Sequence, residues 1–247
     1  RRGLGQKGRE AEGDEVVHQL HRVPGTDPAG VKDVLGERLQ DGAVLIDCST
    51  VSRAAALAAA DKVAAHGAGF LDAPVSGGVE GARQGRLAMM VGGDTQVLEQ
   101  VRPALEVLAA RVTHMGPVGS GQATKAVNQI MAAGINQAVT EALAFAEAQG
   151  LPMERVIEVV GSGAAGNWFV EHRGRTMTAG TFEPGFRVAL HHKDLKICQA
   201  MLAADHVQLP MVEMTLVHYE RLMEAGYGDE DISALYRIKR PLFEDET

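Results

Sequence analysis

Short apolar runs alternate with longer amphipathic stretches between residues 28 and 118. The runs stop in polar or glycine residues, as buried strands of α/β proteins do, and the stretches between them have helical periodicity. This alternation predicts an open, Rossmann-like parallel sheet of the α/β class. The predicted strands cover residues 43–49, 70–75, 87–91 and 112–114, and the predicted helices cover residues 28–40, 53–66 and 94–110. Gly92 and Gly93 are interpreted as a turn after the third strand.

The strand pattern ends after Gly121, and only helical stretches follow. Residues 122–149 form one long predicted helix that is apolar on nearly every face, which is typical of a helix buried in a larger assembly. We therefore expect a homodimer or homotetramer rather than a monomer. The predicted domains are a sheet domain over residues 1–118 and an all-helical domain over residues 119–247, with further helices at 154–160, 194–204 and 211–225.

Composition narrows the class of protein. The chain has 247 residues, 45% of them hydrophobic, and a formal net charge of −8, so we expect no nucleic-acid partner. No run of eighteen apolar residues occurs and the first residues lack a secretory pattern, which predicts a cytoplasmic protein without a membrane segment. Cys48 and Cys198 fit neither a disulfide framework nor a metal site, and the adjacent His191 and His192 lack a ligand spacing, so we assign no metal.

Two polar residues share one face near the start of the long predicted helix. Lys125 and Asn128 are three positions apart, so their side chains are neighbours. An ammonium and a carboxamide together on an otherwise apolar helix indicate a chemical site, although a solvated lysine in the first helical turns is the plainer interpretation. Ser76-Gly77-Gly78, which follows a predicted strand, offers backbone N–H groups as a nest for a carboxylate, or else is a simple glycine turn.

Four motifs in order resemble those of the 3-hydroxyisobutyrate dehydrogenase and tartronate semialdehyde reductase family, which is related to 6-phosphogluconate dehydrogenase. The resemblance covers roughly residues 26–240. The motifs are Asp47-Cys48-Ser49-Thr50, Asp72-Ala73-Pro74-Val75-Ser76-Gly77-Gly78, the block from Gly119 to Asn128, and Lys193-Asp194-Leu195 preceded by Pro184-Gly185-Phe186.

The resemblance implies an NAD- or NADP-dependent oxidoreductase that transfers a hydride between the cofactor and a small 3-hydroxyacid or semialdehyde carboxylate. It makes Lys125 the catalytic acid and base, and Asn128 with Ser76, Gly77 and Gly78 the substrate-binding residues. A nearby ammonium can stabilise and protonate the oxygen on which negative charge develops. The resemblance also implies that Thr50 and Lys193 contact the nicotinamide end of the cofactor, whereas Asp194 is interpreted as the cap of the following helix.

The expected start of the cofactor domain is not found in the pattern. Residues 3–8 match G-x-G-x-x-G but begin two residues from the terminus, so no strand precedes them, and the cofactor domain is expected to be truncated at its N-terminus. A non-catalytic remnant therefore stays an alternative to the active dehydrogenase. An imine reductase or another carbonyl reductase is a third hypothesis, against which the lysine at position 125 argues.

Overall fold

The structure, a computed structural model, describes residues 41–203 and 205–243. The predicted helix at 28–40 and the glycine motif at 3–8 lie outside the described residues. The strands are β1 (Val44–Asp47), β2 (Gly69–Asp72), β3 (Val75–Ser76), β4 (Leu87–Gly93) and β5 (Ala109–Gly116). The helices are α1 (Arg53–Ala64), α2 (Gly78–Arg83), α3 (Thr95–Leu108), α4 (Ser120–Ala148), α5 (Met153–Ser162), α6 (Trp168–Thr178), α7 (Val188–Ala203), α8 (Pro210–Glu224) and α9 (Tyr236–Lys239).

The α/β class and the helical second region are confirmed, but the sheet is mixed rather than parallel. β1 pairs with β2 and β4 pairs with β5 in parallel, whereas β4 runs antiparallel to both β2 and β3. β2 and β3 are two parts of one strand interrupted at Pro74, which has no N–H for the ladder. Because only the six-residue helix α2 and its flanking turns join β3 to β4, the connection is too short for a parallel crossover.

Gly92 and Gly93 end β4 and do not form the predicted turn. A Cβ atom on Gly92 would collide with the Asp72 carboxylate and would come within 2.9 Å of the Gly121 nitrogen and the Pro117 oxygen. Glycine is therefore required here because the start of α4 packs directly on the sheet. A glycine pair in the sequence marked a close backbone approach in this case.

The helical region is built around α4, which has 29 residues. Its core contains apolar side chains from α4 to α8 and from the turn at residues 232–235, including the fully buried Leu195, Leu216 and Tyr219. The opposite face of α4 leaves Val127, Met131 and Phe145 more than half exposed. The helix predicted to be apolar on nearly every face is α4. In the single chain, one of its faces is packed and the other is apolar and exposed.

The helix starts follow local capping rules. Ser52, Asp94 and Asn167 accept backbone N–H groups at the first turns of α1, α3 and α6. α6 was absent from the prediction, and α7 begins six residues earlier than the predicted helix at 194–204. Among the described residues, no helix is long and apolar enough to cross a membrane.

Candidate functional site

The start of α4 is fixed to the end of β2 by one carboxylate. The fully buried Asp72 accepts hydrogen bonds from the backbone nitrogens of Gly119 (2.7 Å) and Gln122 (2.8 Å). Burial raises the pKa of Asp72 although these two N–H donors oppose the shift. The helix N-terminus also favours a negative charge at this position. Asp72 therefore sets where the first turns of α4, with their polar residues, meet the sheet.

Gln122 fixes the loop that follows β1. Its Oε1 accepts the Val51 backbone N–H at 3.1 Å, and its Nε2 donates to the Ser49 carbonyl oxygen at 2.8 Å. The two bonds hold the backbone on both sides of Thr50 against α4. The half-buried Thr50 is thereby presented at the carboxyl end of β1, the place where open α/β sheets bind ligands.

Lys125 lies in the second turn of α4 and is only 8% exposed. Its Nζ donates a hydrogen bond of 2.9 Å to the carbonyl oxygen of Val75, which is the residue before Ser76. The pKa of Lys125 is lowered mainly by burial and further by the charge of Lys193, while Asp194 and Cys198 act in the opposite direction. The ammonium is thus held by a neutral oxygen beside the predicted carboxylate nest.

Ser76 and Asn128 are brought together as the motifs predicted. The Ser76 hydroxyl donates to Asn128 Oδ1 at 3.3 Å, across the junction of β3 with α4. Gly77 and Gly78 follow with φ values of +129° and +61°, which side chains rarely adopt. A Cβ atom on Gly78 would find only the Gly185 oxygen, at 3.7 Å. The backbone at Gly78 is therefore open to a ligand and faces the Pro184-Gly185-Phe186 motif, whereas a Cβ atom on Gly77 would lie 3.1 Å from Leu87 Cδ2.

Lys193 and Thr50 also meet. Lys193 Nζ donates to the Thr50 carbonyl oxygen at 3.0 Å and forms an ion pair of 2.9 Å with Asp194. The interpretation of Asp194 as a helix cap is wrong, because α7 begins at Val188 and Asp194 lies inside it. A partly exposed ammonium and a threonine side chain at the carboxyl end of β1 are suitable hydrogen-bond donors for the polar nicotinamide end of a dinucleotide.

Three further polar residues of the site were missed in the sequence. Two of them, Gln122 and Gln129, lie at helical spacing from Lys125 on one face of α4, and this polar stripe in an apolar helix was the available signal. The third, Asp231, is 1% exposed and accepts the backbone N–H groups of Gly185 and Phe186, both at 3.0 Å. Locally, Asp231 caps the turn at residues 232–235 by accepting the Ser233 N–H, but its partners Gly185 and Phe186 are 45 or more residues away, so no local pattern indicates its second role.

The histidine pair is structural where the chain is described. His191 is fully buried, and its ring nitrogens lie 2.9 Å from the Tyr219 hydroxyl and 3.1 Å from the Gln129 carbonyl oxygen. Burial lowers the pKa of His191 to about 4, so the ring is neutral near pH 7. His192 lies at 3.3 Å from Glu220. Residues 41–203 and 205–243 contain no cluster of histidine, cysteine or carboxylate side chains that could hold a metal ion.

Two family models match the chain. The model described as the NAD-binding domain of 6-phosphogluconate dehydrogenase matches residues 22–116. The model described as the NAD-binding domain of NADP-dependent 3-hydroxyisobutyrate dehydrogenase matches residues 119–239. The two matches together cover most of the chain and meet at the junction of the sheet with α4.

Curated relatives carry names of the same kind. The chain is 41% identical over 194 residues to the 2-hydroxy-3-oxopropionate reductase of Escherichia coli. This match covers 78% of this chain and 66% of that protein. It is 37% identical over 205 residues to a probable 3-hydroxyisobutyrate dehydrogenase of Mycobacterium bovis, which covers 80% of this chain and 69% of that protein.

Solved structures agree with the fold. A structure of 3-hydroxyisobutyrate dehydrogenase from Mycobacterium tuberculosis with L-serine superposes with a TM-score of 0.77 and 32% identity over 86% of this chain and 76% of that one. An imine reductase from Myxococcus stipitatus is more distant, with a TM-score of 0.50 and 21% identity over 85% of this chain and 75% of that chain, so it carries information on the fold alone.

Proposed function

Because this chain belongs to the 3-hydroxyisobutyrate dehydrogenase family of NAD(P)-dependent hydroxyacid dehydrogenases, we propose that it interconverts a small 3-hydroxyacid and its semialdehyde, with Lys125 as general acid and base. The observation that carries this proposal is the buried Lys125 ammonium beside the Ser76–Asn128 pair. The substrate class is a carboxylate of the 3-hydroxyisobutyrate or tartronate semialdehyde type.

In this proposal, Lys125 donates the proton in one direction of the reaction and removes it in the other. The nicotinamide cofactor, NAD or NADP, supplies or accepts the hydride when it is bound. In reduction, Lys125 Nζ donates its proton to the carbonyl oxygen as negative charge develops there, and in oxidation the neutral amine removes the hydroxyl proton. Burial favours this use because it lowers the pKa of Lys125 toward working pH, and the hydrogen bond to the Val75 carbonyl holds the ammonium next to the residue before Ser76.

The carboxylate end of the substrate is assigned to Ser76, Gly77 and Gly78, with Asn128 beside them. Backbone N–H groups in a segment with positive φ values form an anion nest, and the absence of a side chain on Gly78 lets a carboxylate approach. This position places the next carbons of the substrate near Lys125, since Ser76 directly follows the residue that binds its ammonium.

Thr50 and Lys193 are assigned to the nicotinamide end of the cofactor. The hydrogen bond between Lys193 and the Thr50 carbonyl joins the sheet to α7. The proposed binding cleft is the space between these two elements, next to Ser76 and Asn128. We also propose that a dinucleotide-binding domain ends near residue 118 and a helical domain starts at residue 119. The end of β5 at Gly116 and the left-handed Gly119 before α4 support this boundary.

The direct test is oxidation of NADH and NADPH with tartronate semialdehyde and methylmalonate semialdehyde. We expect turnover by the unmodified chain and none above background in Lys125→Ala, with Lys196→Ala as the control because Lys196 is an exposed lysine of α7. Unchanged turnover in Lys125→Ala would remove this mechanism. Calorimetry with each dinucleotide separates the alternatives, since a non-catalytic remnant would bind neither.

Reduction of imines is the competing chemistry, and no observation favours it. An ammonium near the reacting atom stabilises an alkoxide, and a nest for anions is of use only to a substrate with a carboxylate. Matched substrates with and without the carboxyl group decide the point. Faster turnover of the uncharged substrates would favour the carbonyl or imine reductase.

A homodimer or homotetramer in the cytoplasm completes the proposal. Val127 and Met131, one turn apart on α4, are 57% and 61% exposed, which is a high exposure for two apolar side chains on one face. Light scattering coupled to size exclusion tests this assembly. A monomer at all concentrations would contradict it.

A further inference from the structure

A chain of side-chain hydrogen bonds crosses from β3 through α4 to α7. The Ser76 hydroxyl donates to Asn128 Oδ1, and Asn128 Nδ2 donates to Gln129 Oε1 at 2.8 Å. Gln129 Nε2 then donates to Asp194 Oδ2 at 2.7 Å. Gln129 and Asp194 are only 1% and 5% exposed. These hydrogen bonds thus connect the predicted substrate nest to the buried carboxylate of Asp194.

The Asp194 carboxylate fixes which group donates and which accepts in each of these side-chain hydrogen bonds. An ionised carboxylate can only accept, so Gln129 must turn its amide nitrogen toward Asp194 and its oxygen toward Asn128. Asn128 in turn must direct its amide nitrogen to Gln129. Its oxygen is therefore left facing Ser76 and the cleft, where it acts as an acceptor.

Gln129 is also fixed through its main chain. Its carbonyl oxygen accepts from His191 Nε2, and the neutral His191 ring accepts the Tyr219 hydroxyl on its other nitrogen. The Tyr219 oxygen accepts Asn136 Nδ2 at 3.0 Å. With the Gln129 backbone held in this way, rotation of its carboxamide would break the buried hydrogen bond to Asp194 and the partly buried one from Asn128, which is costly.

We propose that Gln129 is a positioning residue that governs substrate choice: it holds the Asn128 oxygen toward the cleft and so favours a 3-hydroxyacid whose C2 carries a hydrogen-bond donor, such as a hydroxyl group. This inference rests on the proposed function. Asn128 Oδ1 accepts the Ser76 hydroxyl and has a second lone pair, to which a C2 hydroxyl can donate its hydrogen, whereas a C2 methyl group at the same place makes no hydrogen bond to this oxygen. Sites that hydrogen-bond a hydroxyl discriminate strongly against analogues that lack it.

The test compares two aldehydes of the same size class, tartronate semialdehyde with a C2 hydroxyl and methylmalonate semialdehyde with a C2 methyl. We expect the ratio of their kcat/KM values to favour the hydroxyl compound by at least about tenfold and to fall by about tenfold in Gln129→Met, where Asn128 is free to rotate. The ratio does not depend on the amount of folded protein. An unchanged ratio in Gln129→Met overturns the proposal.

Two variants separate positioning from general damage. Gln137 is a buried glutamine of the same helix that bonds to Thr215 and His218, so Gln137→Met matches the chemical change away from the site and is expected to leave the ratio unchanged. In Asn128→Ala, the further change Gln129→Met is expected to have no additional effect on the ratio, because Gln129 acts through Asn128. An additional effect contradicts the proposed route.

A readout without substrate or cofactor keeps this inference distinct from the proposed function. Solvent exchange of the Asn128 side-chain amide protons, measured by NMR and assigned by their loss in Asn128→Ala, is expected to be about tenfold faster in Gln129→Met. Faster exchange with no turnover of either aldehyde refutes the proposed function and supports the positioning role. Equal exchange rates refute the positioning role, whatever the turnover.

Discussion

Two buried lysines of the helical region differ in the partner of their ammonium group. Lys239, at the end of α9, is 2% exposed and pairs with the carboxylate of Glu141 at 2.7 Å. Lys125 is buried almost as deeply, but its ammonium donates to the neutral Val75 carbonyl. Lys239 is thus paired with a carboxylate, whereas Lys125, which we propose transfers protons, is bound by a group that leaves it able to lose its charge.

The largest expected effect is on catalysis and separates the two lysines. Lys125→Met should lower kcat by about a thousandfold, the usual scale for loss of a general acid and base, while Lys239→Met should retain kcat. Single-turnover kinetics with NADH and a semialdehyde measure the difference. Comparable losses in both variants would mean that burial alone, rather than the environment of the ammonium, determines the outcome.

His191 is a second buried basic group with neutral hydrogen-bond partners, and it makes the stability of the fold depend on pH. The pKa of His191 falls from 6.5 to about 4 in the folded chain, so the unfolded chain binds more protons between these values and stability decreases as pH falls through this window. The expected loss is about 3 kcal/mol of the free energy of unfolding. Urea denaturation at pH 7 and near pH 4 measures it, and His191→Gln should lose distinctly less across the same range.

Removal of the ion-paired lysine affects stability instead of activity. Lys239→Met is expected to lower the free energy of unfolding by about 1 to 2 kcal/mol, less than for a fully buried pair because Glu141 is half exposed. Lys125→Met is expected to leave stability unchanged or higher, since it removes a buried ammonium without a paired carboxylate. Equilibrium denaturation of both variants at pH 7 makes the comparison, and the reverse order would contradict it.

The smallest expected effect is on the pKa of Lys125 and tests the influence of its charged neighbour Lys193. Lys193 faces it with a like charge that lowers the pKa of Lys125, whereas Asp194 and Cys198 raise that pKa. Lys193→Met should therefore move the limb of the kcat/KM profile that reports Lys125 to higher pH, by a fraction of a pH unit because Lys193 is partly exposed. Lys196→Met, on the same helix, should not move it.

The sequence predicted the elements that have strong local signals. The apolar runs and the capping residues located four of the strands and most of the helices, and the four motifs identified the family, which the family models and relatives confirm. The sheet direction was not predictable from the runs, because strand orientation depends on the length of the segment around α2 and on the break at Pro74. The helix α6 was missed because it contains several polar and charged residues.

The site was predictable to the extent that its residues lie in short motifs. Lys125, Asn128, Ser76 and Thr50 were found in this way, and the structure brings Ser76 to Asn128 and Lys193 to Thr50. The supporting residues depend on tertiary contacts. Gln129 reaches Asp194 across 65 positions, a distance that no periodicity reports. Their roles in binding and catalysis stay predictions until the variants are measured.

The most direct test of the account is a titration of the Lys125 side chain in the intact protein by NMR of isotope-labelled lysines, assigned by the signal missing in Lys125→Met. We expect Lys125 to titrate below 10.5, the ordinary lysine pKa, with a midpoint that matches the limb in the pH profile of kcat/KM. A Lys125 pKa at or above 10.5, with no matching limb, would contradict the role of Lys125 as general acid and base.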